Sequence, residues 1–142
     1  MTRQDFKSFL LTYLHKPYLW GGDDPLIGLD CSGFAQECLA ALGADPAGDQ
    51  TAHALRDHCL KYGTPIMTPP DTGDLVFYGT QGKIIHIAVG FHKGIVIEAG
   101  GGGSRTKTLQ DAINQNAFIR LRPYRKRLDF VATYRLPLGL ED

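Results

Sequence analysis

Three residues in this sequence sit where their side chains could react rather than only pack. Cys31 lies in Asp30-Cys31-Ser32-Gly33, at the start of a segment with helical apolar spacing. The first turn of a helix has unpaired N–H groups and a partial positive charge. Both favour thiolate over thiol, and the same N–H groups can hold a developing oxyanion. Cys38 and Cys59 fall on apolar helical stripes, where cysteine serves as a small hydrophobe. Position alone leaves a structural role for Cys31 as well founded as a catalytic one.

A thiolate nucleophile needs a base, and the chain has 5 histidines. His15 falls at a helix end, His53 and His58 on a helix, and His92 in a turn. His86 lies within a predicted strand, Ile84–Phe91. One face of that strand, Ile85, Ile87, Val89 and Phe91, reads as continuous core. The other, Ile84, His86, Ala88 and Gly90, leaves space around the imidazole and suggests a cleft; a packed histidine bonded to backbone is the alternative.

The next strand, Ile95–Ala99, alternates in the same way. A three-residue turn His92-Lys93-Gly94, with Gly94 left-handed, pairs Phe91 with Ile95 and turns the odd positions of both strands to the core. Gly100 then lies opposite His86, and Glu98 is its diagonal neighbour on the same face. A carboxylate there can accept the second imidazole N–H, fix the tautomer and stabilise the imidazolium. The competing reading of Glu98 is a surface residue on an edge strand.

The elements that must position these groups are legible in outline. Residues 3–15 read as an amphipathic helix with Phe6, Phe9, Leu10, Tyr13 and Leu14 at helical spacing, capped by Thr2 with Asp5 and ended by Pro17. Residues 17–30 form a glycine-rich loop. A second helix spans Cys31–Leu42, with Asp30 as N-cap, Gly43 as stop, and Phe34, Cys38, Leu39 and Leu42 buried. A third is capped by Thr51 and ended by Gly63, with Leu55, Cys59 and Tyr62 inward.

After the proline-rich stretch 64–73 the period changes from helix to strand. Leu75–Tyr78, Ile84–Phe91, Ile95–Ala99, Ala117–Tyr124 and Phe130–Leu136 are strands, with a short helix over Asp111–Asn116. Helices first and strands afterwards predict an α+β fold, with N-terminal helices packed on an antiparallel sheet of about five or six strands. No internal repeat or second domain shows, so residues 1–142 read as a single domain.

Composition narrows the function classes. Lys plus Arg and Asp plus Glu are 15 each, so net charge is zero and no global field draws the chain to nucleic acid. No apolar run reaches membrane-spanning length, so no membrane insertion is expected. Three cysteines without CxxC spacing make no disulfide framework. Of the 15 acidic residues, 10 precede or include Asp74, and the last part is basic, with Arg120, Arg122, Arg125, Lys126 and Arg127 clustered. That cluster reads as a solvated edge strand and turn, or as a surface facing a polyanion or partner. His53, His58 and Cys59 lack zinc-ligand spacing, and Gly100–Gly103 lacks the Lys-Ser/Thr of a phosphate loop. No metal or cofactor is expected; the glycines read as a flexible cleft rim, with Arg105 available for a substrate carboxylate.

Four blocks, Tyr18-Leu19-Trp20-Gly21-Gly22, Asp30-Cys31-Ser32-Gly33-Phe34, Gly73-Asp74-Leu75-Val76-Phe77-Tyr78 and His86, occur in the order seen in the NlpC family of cell-wall peptidases. The resemblance runs from the first helix to about Gly100. It implies a papain-like fold and hydrolysis of amide bonds in peptidoglycan stem peptides, often between D-glutamate and a diamino acid. It maps the nucleophile onto Cys31, the base onto His86 and the third polar residue onto Glu98, where the family often has histidine. Tyr18 matches a tyrosine that helps bind the oxyanion. Asp30 and Ser32 match positions that recognise the stem peptide, and Trp20 lines the cleft or packs in the core.

The same core also serves amidases and acyltransferases, and a non-catalytic wall-binding module at a phage tail is a further alternative. The first residues lack a secretory signal pattern. The expectation is therefore synthesis in the cytoplasm and action at the wall after delivery, with phage-tail or other delivery-machine proteins as partners beside the stem peptides.

Overall fold

The computed structural model describes residues 1–142. Four helices, α1 (Arg3–Leu11), α2 (Cys31–Ala41), α3 (Ala52–Tyr62) and α4 (Leu109–Gln115), accompany a six-stranded sheet. Its strands are β3 (Thr64–Ile66), β4 (Leu75–Thr80), β5 (Lys83–His92), β6 (Ile95–Gly100), β7 (Phe118–Pro123) and β8 (Phe130–Arg135). They lie in the order β3-β8-β4-β5-β6-β7, every pair antiparallel. A two-stranded ribbon, β1 (Asp23–Asp24) and β2 (Gly28–Leu29), precedes α2. The α+β, papain-like expectation holds, with six strands. No helix is long and apolar enough to cross a membrane.

Local chemistry sets the helix ends. Thr2 Oγ1 accepts from the Asp5 N–H at 3.0 Å and opens α1. The helix stops at Leu11, short of the predicted 15. There the Thr12 hydroxyl donates to the Phe9 carbonyl at 2.7 Å, the Tyr13 and Leu14 N–H groups tighten to residues three back, and His15 takes φ 72°. Thr51 Oγ1 accepts from the Ala54 N–H at 3.0 Å to begin α3. Leu55 and Cys59 are buried there as expected, but Tyr62 is 56% exposed. The helix ends at that residue, Gly63 leads straight into β3, and the ring lies outside against His58.

The sheet has a core on each face. Phe34, Leu39 and Leu55 of the helices pack with Leu75, Phe77, Ile87, Val89 and Ile97 on one side. Full burial of each such side chain is worth about 1.5–3 kcal/mol. The opposite face holds a smaller core of Val76, Tyr78, Ala88 and Val96, covered by Tyr124 and Phe130. The predicted sparse face of β5 is therefore filled from a neighbouring strand and the β7–β8 connection.

Two bulges correct the predicted strand faces. Tyr78 pairs with His86 but Gly79 pairs with Ile84, so Ile85 is an extra residue. The pleat reverses there. Ile84 joins the main core and Ile85 is 56% exposed, the reverse of the expectation. At the other end of β5 the turn has two residues, Lys93 (φ 32°) and Gly94 (φ 87°), rather than three. Positive φ at both positions gives the primed turn that suits twisted strands. The third residue is taken up by a bulge at Phe91. Val89 still faces Ile97 and Gly90 faces Val96, the register predicted from the apolar pattern.

The Gly73-Asp74 block anchors the sheet. The Asp74 carboxylate, wholly buried, accepts from Arg135 Nε at 2.7 Å and Nη2 at 2.9 Å, and from the Asp71 N–H at 2.9 Å. It ties β4 to β8 and to the turn before it.

Candidate active site

Cys31 is the first residue of α2. Asp30 Oδ1 caps the helix by accepting from the Gly33 N–H at 2.7 Å and from Ser32 Oγ at 3.2 Å. That leaves the Cys31 and Ser32 N–H groups without a helical acceptor, beside the sulfur. The helix start is held by backbone packed on backbone. A Cβ on Gly33 would come within 2.2 Å of the Gly22 carbonyl oxygen, and one on Gly22 within 2.5 Å of the Gly28 carbonyl. The Asp30 N–H also donates to the Gly22 carbonyl at 3.0 Å. The two glycine-bearing blocks are thus one structural unit that sets Cys31 in place.

His86, on β5, is only 5% exposed. Its Nε2 lies 2.8 Å from Glu98 Oε2, and Tyr78 lies tilted against the ring with centroids 5.4 Å apart. Burial alone would push the imidazole down. The hydrogen bond to Glu98, the nearness of Cys31 and the charges on both outweigh it and hold the group up at about 9. With Nε2 committed to Glu98, Nδ1 is the nitrogen left for the sulfur. Glu98 is 2% exposed. Burial would raise its carboxyl, but the hydrogen bond and charge of His86, with Arg120 and Arg122, bring it below the ordinary value. An ionised Glu98 can only accept, so Nε2 carries a proton.

The carboxylate needs the missing side chain of Gly100, where a Cβ would stand 2.3 Å from Oε2. None of Gly100–Gly103 lines the cleft. Gly100 is buried and Gly102 packs against the Tyr18 ring, which a Cβ there would meet at 2.3 Å. The Thr106 carbonyl accepts from the Trp20 N–H at 2.7 Å, so this segment backs the cleft wall.

The sulfur opens into a cleft of about 810 Å³. Tyr18, Trp20, Asp30 and Ser32 line one side with Cys31, while His53 and Gly82–Ile85 line the other. Trp20 is 57% exposed, which places it in the cleft and not in the core. Tyr18 is buried, and its phenol is pushed up by burial first, then by the charges of Cys31 and Asp30. Burial raises the Asp30 carboxyl despite its hydrogen bonds to Gly33 and Ser32.

Arg105 does not join this group. Its side chain is exposed, and only its carbonyl is engaged, by Gln115 Nε2 at 3.4 Å. Folding of residues 103–108 onto α4 carries it away from the cleft. His53 was not a candidate from sequence. Its Nδ1 accepts from the Ile84 N–H at 3.0 Å, joining α3 to the start of β5 across the cleft floor. Nothing in helical spacing distinguishes it from His58, whose ring lies tilted against Tyr62. No group of three metal-ligating side chains occurs.

A model of the NlpC/P60 family matches residues 15–123. Over 89 residues the chain is 36% identical to the murein DD-endopeptidase MepH of Escherichia coli (strain K12), covering 60% of this chain and 31% of that protein. Over 84 residues it is 38% identical to the bifunctional muramidase/DL-endopeptidase CwlT of Bacillus subtilis (strain 168), covering 56% of this chain and 23% of that one. The chain thus spans less than a third of these relatives' length. The crystal structure of the NlpC/p60 domain of peptidoglycan hydrolase SagA superposes with TM-score 0.70 at 22% identity, covering 96% of this chain and 100% of that chain. This last likeness concerns the fold.

Proposed function

The chain belongs to the NlpC/P60 family, and on that premise we propose that it is a cysteine peptidase that hydrolyses peptidoglycan stem peptides, cutting between D-glutamate and the diamino acid. The observation that carries this reading is the buried His86–Glu98 pair at 2.8 Å, its imidazole held up in part by Cys31, with that cysteine at a helix N-terminus and lining the cleft. Two of the curated relatives are a DD-endopeptidase and a bifunctional muramidase/DL-endopeptidase, which supports an endopeptidase and leaves the bond to the test.

In this reading the thiol proton rests on His86 Nδ1, and the Cys31 thiolate attacks the amide carbonyl carbon. The carbonyl π electrons move to oxygen. The Cys31 and Ser32 N–H groups, with the Tyr18 hydroxyl, hold that oxyanion. Collapse of the tetrahedral adduct breaks the C–N bond, and the departing amine takes the proton from Nδ1. Water then attacks the thioester, giving one proton to Nδ1, and the second collapse returns the thiolate and frees the carboxylic acid, which loses its proton to solvent. Glu98 holds the ring and balances the imidazolium throughout. Asp30 and Ser32, on the cleft wall beside the sulfur, recognise the amine end of the stem peptide.

Digestion of purified muropeptides, read by mass spectrometry, tests the assignment. Wild type should release shortened peptides and Cys31→Ala none, with the fold intact by circular dichroism. Release of whole stems from the glycan would instead indicate an amidase. Activity retained in Cys31→Ala would overturn the nucleophile.

A further inference from the structure

The active ionisation state of the site carries an unbalanced charge. Thiolate, imidazolium and carboxylate sum to a net negative, and two of the three groups are almost wholly buried. A buried excess charge is costly unless an opposite charge stands near it. No other residue of β6 is ionisable. Facing Glu98 from β5 is His86, from β4 the Tyr78 phenol, from α2 Cys31, from the β7–β8 connection Arg127 with Asp129, and from β7 Arg120 and Arg122. Tyr78 is spent, its hydroxyl donating to the Tyr124 carbonyl at 2.6 Å. Arg127 is bound by Asp129 at 2.9 and 3.0 Å.

Arg120 is different. It is directly opposite Glu98 in the β6–β7 register, so the two side chains leave the same face of the sheet. Both converge over Gly100, where a built Cβ would stand 2.3 Å from Glu98 Oε2 and 3.1 Å from Arg120 Nη2. Its guanidinium has no carboxylate within ion-pair distance, and its buried Nε has no hydrogen-bond partner. A half-buried cation with no partner of its own, aimed at a buried carboxylate, is not explained by packing.

We infer that Arg120 is a positioning residue of the catalytic site, acting through Glu98: it keeps that carboxylate ionised so that Glu98 can go on holding His86 in its imidazolium form. The inference rests on the triad reading above. Arg122, one same-face position further along β7 and opposite Val96, adds a weaker field of the same sign.

The sign follows from linkage. Arg120 lowers the Glu98 titration, so its removal raises it, and protonation of Glu98 then reaches further toward neutral pH. The test follows the Glu98 carboxyl by carbon-13 NMR in the full chain as wild type, Arg120→Gln, Arg120→Met and Arg120→Lys, beside pH profiles of kcat/KM. Arg120→Met keeps the aliphatic stem packed and removes only the charge. Removing the charge should move the Glu98 titration and the acidic limb upward together by about one pH unit, a roughly tenfold loss on that limb. Arg120→Lys should restore most of the shift. An unmoved titration in both charge-free variants would overturn the inference, as would lower thermal stability with the acidic limb in place. The NMR readout needs no turnover, so it stands apart from the fate of Cys31→Ala.

Discussion

His86 Nε2 and Glu98 Oε2 are 2.8 Å apart on adjacent strands, both buried, while Cys31, whose charge also holds this imidazole up, opens a helix. This pair lets a buried histidine stay charged, because the carboxylate accepts its proton's hydrogen bond where water cannot.

The first consequence is a pH profile. The imidazolium form of His86 is retained below, and lost above, about pH 9. The alkaline limb of kcat/KM should fall there, and Glu98→Gln, which removes the anionic partner, should move it down and lower activity about tenfold or more. The group's titration is raised on folding from 6.5, so its protonation adds stability in full below that pH and loses it as pH rises to about 9. Proton NMR of the imidazole, with thermal melts across that window, checks both.

Gly100→Ala should act like a partial loss of Glu98. The new methyl would meet Oε2 at 2.3 Å, and the carboxylate, the movable end of a flexible side chain, would yield by leaving His86. The expected result is a fall of about tenfold in kcat with little change in KM, and a lower imidazole titration. An unchanged His86 titration would count against it.

Gly33→Ala should damage the fold as well as the site. Its methyl would meet the Gly22 carbonyl at 2.2 Å, backbone that cannot rotate away, so α2 must shift and carry Cys31 with it. A cost of about 1–3 kcal/mol is expected from urea unfolding.

Asp74→Ala separates stability from chemistry. It removes the acceptor of three hydrogen bonds, and although Arg135 is partly solvated, the carboxylate end is fully buried. A loss of about 2–4 kcal/mol is expected, with the alkaline limb of the profile unmoved in the folded fraction.

Thiol labelling should be selective. Cys38 and Cys59 are buried in the main core, and burial pushes both thiols up, Cys59 to about 12. Iodoacetamide at pH 8 should modify Cys31 alone in the native protein, as peptide mass mapping would show.

The sequence by itself determined most of what is local. Caps at Thr2, Asp30 and Thr51 were legible because a short polar side chain before an apolar helical stripe has one favoured use. The β5–β6 register is legible too, although a two-residue turn and a bulge at Phe91 close it in place of a three-residue turn. A one-residue slip would have exposed Ile97 and Val89, so burial fixes the pairing wherever the extra residue is absorbed.

Tertiary structure alone decided what depends on neighbours distant in the chain. The bulge at Ile85, the core that fills the back face around His86, the withdrawal of Arg105 and the arrival of His53 in the cleft all arise where separate segments compete for one space. Arg120 is the clearest case. In sequence it belonged to a basic run with the pattern of a solvated edge, and only the strand order brings it opposite Glu98. Periodicity reports which face a side chain takes, because the backbone repeat is short. Which charge waits on that face depends on strand order, and that is settled by the packing of the whole chain.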